Sequence, residues 1–119
     1  MTQEDKDLLL QDLCVKLPYG IKVQHEDNVF DVDYISPMYE EIKLDIPDNY
    51  TLGISEVKPY LFPLSSMTEE QEEEYNTMYE ENRYSWRENI IDWFHKNHLD
   101  YRGLIPKGLA IDATGKNIY

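Results

Sequence analysis

The sequence predicts an α+β fold: a small antiparallel sheet or SH3-like barrel over about residues 20–64, packed against an N-terminal helix and two C-terminal helices. Three observations lead there. Leucines recur at helical spacing before Pro18, the apolar period changes to two between Gly20 and Leu64, and helical spacing returns after Thr68 behind capping signatures.

The first element reads as a helix over Thr2–Leu17. Thr2 is placed to cap it with Asp5 three residues on, and acids fill the first turn where the helix dipole favours them. Leu9, Leu13 and Leu17 share a face with Leu10 and Cys14 beside them, which predicts core packing, and Pro18-Tyr19-Gly20 ends the run.

In the next stretch Ile21, Val23 and His25 alternate with Lys22 and Gln24; a polar turn, Glu26-Asp27-Asn28, leads to Phe30, Val32 and Tyr34 alternating with Asp31 and Asp33. Ile42, Leu44 and Ile46 alternate with Glu41, Lys43 and Asp45, and Pro47-Asp48-Asn49 supplies a turn before Tyr50, Leu52 and Ile54. Three or four antiparallel strands are expected, their outer face nearly all carboxylate. Residues 55–64 read as a short helical turn and then an extended crossover, because Pro59 and Pro63 forbid a regular helix.

Thr68 with Gln71, or Ser66 with Glu69, forms a capping box for the next helix, whose apolar stripe is Tyr75, Met78 and Tyr79. Ser85 with Glu88 starts the last helix, with Trp86, Ile90, Trp93 and Phe94 on one face and Asn97 as its stop. Leu13, Val32, Leu44, Ile90, Trp93 and Phe94 are the expected core. Leu109–Ile111 is an apolar segment suited to an edge strand or to docking on the core, and no linker divides the chain, so one domain over residues 1–119 is expected.

Composition narrows the function classes. The 119 residues are 41% hydrophobic, enough for a core that hides roughly two-thirds of the unfolded surface. Against 24 acids stand only 11 bases, for a formal net charge of −13. Duplex DNA and anionic lipid are poor partners for such a surface, so no direct nucleic-acid or membrane binding is expected. Nine acids between Glu26 and Glu56 face Lys43 alone, and seven glutamates between Glu69 and Glu81 face no base. No apolar run approaches the roughly 20 residues of a membrane span. The acidic N-terminal segment lacks the basic start of a secretory signal, which points to the cytosol. Cys14, the only cysteine, has the apolar neighbours Leu13 and Val15 and reads as a small buried hydrophobe rather than a reactive thiol.

No strong catalytic or cofactor motif is present: no phosphate-cradling loop, no nucleophile elbow and no calcium loop. The metal candidates are Asp92, His95 and His98, with Asp100 nearby, since residues three apart on a helix share a face; the spacing matches no strong metal motif, and capping of the helix end is the plainer role. No cofactor is expected. Ten tyrosines among the carboxylates suit either a binding surface or a core short of aliphatics.

The blocks Asp12-Leu13-Cys14 to Tyr19-Gly20, Val57 to Glu70 and His98 to Pro106 with Gly108-Leu109-Ala110 resemble a family of small uncharacterised proteins from gut anaerobes and their mobile elements. The resemblance implies a bacterial or prophage cytosolic setting and carries no catalytic residues. Two function classes follow. The first is a non-enzymatic interaction or accessory factor that docks on a basic protein surface through Asp31, Asp33, Glu41 and Asp45, in its sharpest form a DNA mimic that blocks a nucleic-acid-binding protein. The second is a small metal-dependent enzyme using Asp92, His95 and His98.

Overall fold

The computed structural model describes residues 1–47, 51–81 and 86–119, the side chains of residues 86–88 excepted. Helix α1 spans Gln3–Lys16. Its capping box forms as expected: Thr2 Oγ1 accepts from the Asp5 N–H at 3.1 Å and Asp5 Oδ2 from the Thr2 N–H at 3.3 Å. A single 3-10 turn, Leu17–Tyr19, ends at Gly20, whose φ of 82° suits a residue without a Cβ.

Six strands follow: β1 Lys22–His25, β2 Asn28–Ser36, β3 Glu41–Leu44, β4 Thr51–Gly53, β5 Lys58–Leu61 and β6 Ile111–Asp112. They form one open mixed sheet in the order β4-β3-β2-β1-β5-β6, all pairs antiparallel except β5–β6. The sheet therefore does not close into a barrel. Its two edges are only three and two residues long, which leaves little open ladder for another chain to join. The β1–β2 hairpin turns through Glu26 and Asp27, both at positive φ, as a two-residue turn matched to strand twist requires.

Two expectations for the strands need correction. In β2, Val32 pairs with Leu44 but Tyr34 pairs with Lys43, so Asp33 is an extra residue in a β-bulge. The bulge moves Tyr34 to the outer face, 60% exposed, and gives its core position to Ile35. The segment around Pro59 is not a crossover but β5, an interior strand. Leu61 O accepts from the Ala113 N–H of the β6 side; Pro59, two residues earlier, faces the same way, where β6 has not yet begun, so its missing N–H leaves no gap in the ladder.

Helix α2 spans Glu69–Glu81 and α3 spans Trp86–Lys96. Of the two capping pairs foreseen for α2, Thr68 with Gln71 forms, whereas the Ser66 hydroxyl donates to Pro63 O. The Asp48-Asn49 turn, the place of Tyr50, the Ser85–Glu88 box and the packing of the Trp86 side chain lie outside the described residues. After α3 the N–H of Leu99 returns to Phe94 O and that of His98 to His95 O, a Schellman stop with His98 at its left-handed position.

There are two apolar clusters. α1 lays Leu9, Leu10 and Leu13 over Val23, Val32, Ile35, Ile42, Leu44 and Leu61 on one face of the sheet. A second, aromatic cluster joins Ile90, Trp93 and Leu99 to Phe62, Met67, Tyr75, Met78 and Phe94. The expected core residues are buried except Phe94, which is half-buried and stacks on Tyr101 with centroids 5.4 Å apart. Tyr79, expected in the α2 stripe, is 58% exposed. Among the described residues no helix is long and apolar enough to cross a membrane.

Candidate functional site

The outer sheet face holds the first set of candidates. Asp31, Asp33, Glu41 and Asp45 are all exposed, as alternation foresaw. The face is not, however, nearly all carboxylate. Lys22 Nζ lies 2.7 Å from Asp31 Oδ1, and Lys43 Nζ 3.6 Å from Asp33 Oδ2, because antiparallel register sets lysines of β1 and β3 opposite the acids of β2. Half of the predicted carboxylate row is thus locally neutralised.

The second set, Asp92, His95 and His98, is not brought together. Asp92 is exposed on α3, whereas His95 is buried with Nε2 2.6 Å from the Tyr101 hydroxyl. His98 stacks face to face on Tyr119, centroids 3.8 Å apart. Asp100 spends both carboxylate oxygens on the Leu104 and Ile105 N–H groups. Among the described residues no three His, Cys, Asp or Glu side chains are grouped to hold a metal.

Sequence reasoning missed a buried charge cluster. Asp12 and Lys16, one helical turn apart on α1, are fully buried, with Lys16 Nζ 2.7 and 2.8 Å from the two Asp12 oxygens and 3.1 Å from Leu99 O. Arg102 Nε approaches Asp12 Oδ1 at 3.3 Å as an ion pair without hydrogen-bond geometry. Both cations approach the Tyr101 ring, Lys16 Nζ at 5.5 Å and the Arg102 guanidinium carbon at 5.0 Å from its centroid. Burial lowers the Lys16 pKa while the Asp12 carboxylate opposes that fall. An ammonium has three protons to donate, and here all three have acceptors, so Lys16 is a clamp between α1 and the α3–tail junction rather than a nucleophile. The one signal in the sequence was the i,i+4 Asp–Lys pair on the leucine face, which reads as an ordinary solvated pair.

Beside the cluster, Leu10, Gln11, Cys14, Val15, Pro37 and Arg102 line an open groove of about 540 Å³. Cys14 is half-buried, and burial raises its pKa, which favours the protonated thiol. The tyrosines answer the question left by composition: of those described, only Tyr60 is buried, and Tyr34 and Tyr39 stand 60% and 71% exposed near Met38, so tyrosine is mainly surface material here.

The strongest feature lies on α2. All seven of its glutamates are exposed and no residue of the helix is buried. Glu70, Glu73 and Glu74 follow i,i+3,i+4 spacing, so they share one face, and with Thr77, Met78 and Trp93 they line a groove of about 600 Å³ between α2 and α3. Trp93 Nε1 donates to Glu74 Oε2 at 2.9 Å, which fixes that carboxylate at the groove wall. Tyr75 packs behind it, 6.3 Å from the Trp93 ring. The result is an apolar floor under an acidic rim. The chain matches no family model, no curated protein and no solved structure.

Proposed function

We propose that this protein is a non-enzymatic interaction factor that docks on a basic protein surface, with the α2–α3 groove as its principal contact. The observation that supports the reading is the pairing of an apolar floor, Met78 and Trp93, with three carboxylates spaced along one helix face. An arginine side chain fits that chemistry: its stem covers the apolar floor while its weakly hydrated, planar guanidinium meets two carboxylates at once. Seven exposed glutamates in thirteen residues would steer such a partner and make association fall with salt. Basic surfaces that hold phosphate are rich in arginine, so a nucleic-acid-binding protein of a bacterial host is the partner class favoured, with the acidic helix standing in for phosphate. The sheet carboxylates Asp31, Asp33, Glu41 and Asp45 are secondary contacts, since lysines already occupy two of them.

The test is binding of a fluorescent arginine-rich peptide, and of its lysine counterpart, at low and high salt. Combined Glu70→Gln, Glu73→Gln and Glu74→Gln is expected to weaken the arginine peptide by about tenfold or more, since each lost charge contact at a groove removes a substantial part of the free energy. Neutralising Asp31, Asp33, Glu41 and Asp45 should cost far less. Equal binding by all three proteins would refute the groove.

A further inference from the structure

The β1–β5 ladder is interrupted where its next pair, Lys22 with Tyr60, would fall. Val23 pairs with Pro59, but at Lys22 the two strands are bridged by a side chain from the far end of the chain: the Lys22 N–H donates to the Tyr119 hydroxyl at 3.1 Å, and that hydroxyl donates to Tyr60 O at 3.0 Å. One residue pair further along, β5 changes partner, with the Phe62 N–H donating to His98 O at 2.9 Å and the Asp100 N–H to Phe62 O at 2.8 Å. The Tyr119 ring covers the seam between these two pairings, the residue as a whole 43% exposed and its hydroxyl end turned into the bridge. It is held on one side by Phe62, at 6.0 Å, and on the other by the His98 imidazole, parallel within 12°.

His98 is an unusual residue for that place. It occupies the left-handed position of the Schellman stop with φ 55°, where glycine avoids steric cost, and the residue is only 8% exposed, with Nδ1 lacking any hydrogen-bond partner. A neutral ring tolerates an unpartnered acceptor; an imidazolium in the same place would bury a charged donor without an acceptor.

We propose that residues 113–119 form a releasable strap, in which Tyr119 seals the β1–β5 seam and protonation of His98 expels it. The groups that face His98 are the Tyr119 phenol from the tail and the Lys16 ammonium from α1, which also disfavours a second positive charge; β5 leads into the Phe62 backbone that meets it, and among the described residues no carboxylate is set to stabilise the imidazolium. Burial, reinforced by Lys16, lowers its pKa from 6.5 to about 4, and desolvation of the inward-turned phenol end of Tyr119 raises its pKa to about 12, so the hydroxyl keeps the proton its bridge requires. For a histidine with a depressed folded value, the neutral form's contribution is complete above pH 6.5 and is lost as pH falls toward about 4.

Nuclear magnetic resonance across pH 7 to about 4 tests this on the intact chain. The Tyr119 ring signals and the Lys22 amide should shift with the His98 titration, at a midpoint well below 6.5, while Val23 and Leu44 in the sheet core stay native. His98→Gly removes the titration and suits the backbone, and should abolish the pH-dependent movement. Tyr119→Phe keeps the ring but lacks the bridging hydroxyl, and should lose protection at the Lys22 amide even at neutral pH. Tyr119 signals indifferent to the His98 titration, or loss of the core signals at the same midpoint, would overturn the strap.

Discussion

On the outer face of the sheet, Asp31 and Asp33 sit beside lysines from neighbouring strands, whereas the seven glutamates of α2 face solvent on a helix that contains no base. The two regions look alike in composition. They differ because a sheet brings together residues nine or ten positions apart, so one lysine on each neighbouring strand suffices to neutralise β2. A helix sets only its own i+3 and i+4 neighbours side by side, and within α2 those are further glutamates for Glu69 to Glu74 and uncharged residues for Glu80 and Glu81, never a base. Local net charge is therefore a property of strand register in one case and of sequence alone in the other.

Asp12 is the extreme of a neutralised carboxylate, and it carries the largest expected effect. Asp12→Ala leaves Lys16 buried without its counter-ion, and urea unfolding should show a loss of about 3–5 kcal/mol. Replacing both partners, Asp12→Leu with Lys16→Met, should cost less than Asp12→Ala; an equal or greater loss would mean that packing rather than charge governs the site. A double-mutant cycle on Lys22 and Asp31 probes the same pairing at the surface and should give only about 0.2–1 kcal/mol, falling with salt. The opposite sign is expected at the end of α2. Glu80→Gln with Glu81→Gln removes negative charge from the last turn, where the helix dipole disfavours it, and thermal unfolding should show a gain of a few tenths of a kcal/mol for each change. A loss there would mean that the acidic helix is neutralised by neighbours after all.

Much of the fold was legible because it rests on local periodicity. The leucine face of α1, the Thr2 and Thr68 caps, the polar β1–β2 turn and the alternation in β1 and β3 all carry their signals within a few residues. What escaped was set by contacts between distant segments. The bulge at Asp33 reverses the facing of Tyr34 without any glycine to mark it, and Pro59 reads as a strand breaker unless one knows that its nitrogen faces beyond the start of β6. The acidic run of α2 was visible in the sequence, but its apolar floor required α3 to bring Trp93 against Met78.

By itself, then, the sequence determined the α+β class, the ends of α1, the start of α2 and the large excess of acid, because hydrophobic period, capping residues and charge count act over one or two turns or a single hairpin. Tertiary structure alone decided which charges are buried, paired or displayed. Asp12 and Lys16 are sealed by Leu99, Tyr101 and Arg102 from more than eighty residues away, and Tyr119 completes a seam between strands that begin nearly a hundred and about sixty residues before it. Solvent access and the partners available to an ionised group depend on such long-range closure, to which a local pattern is blind.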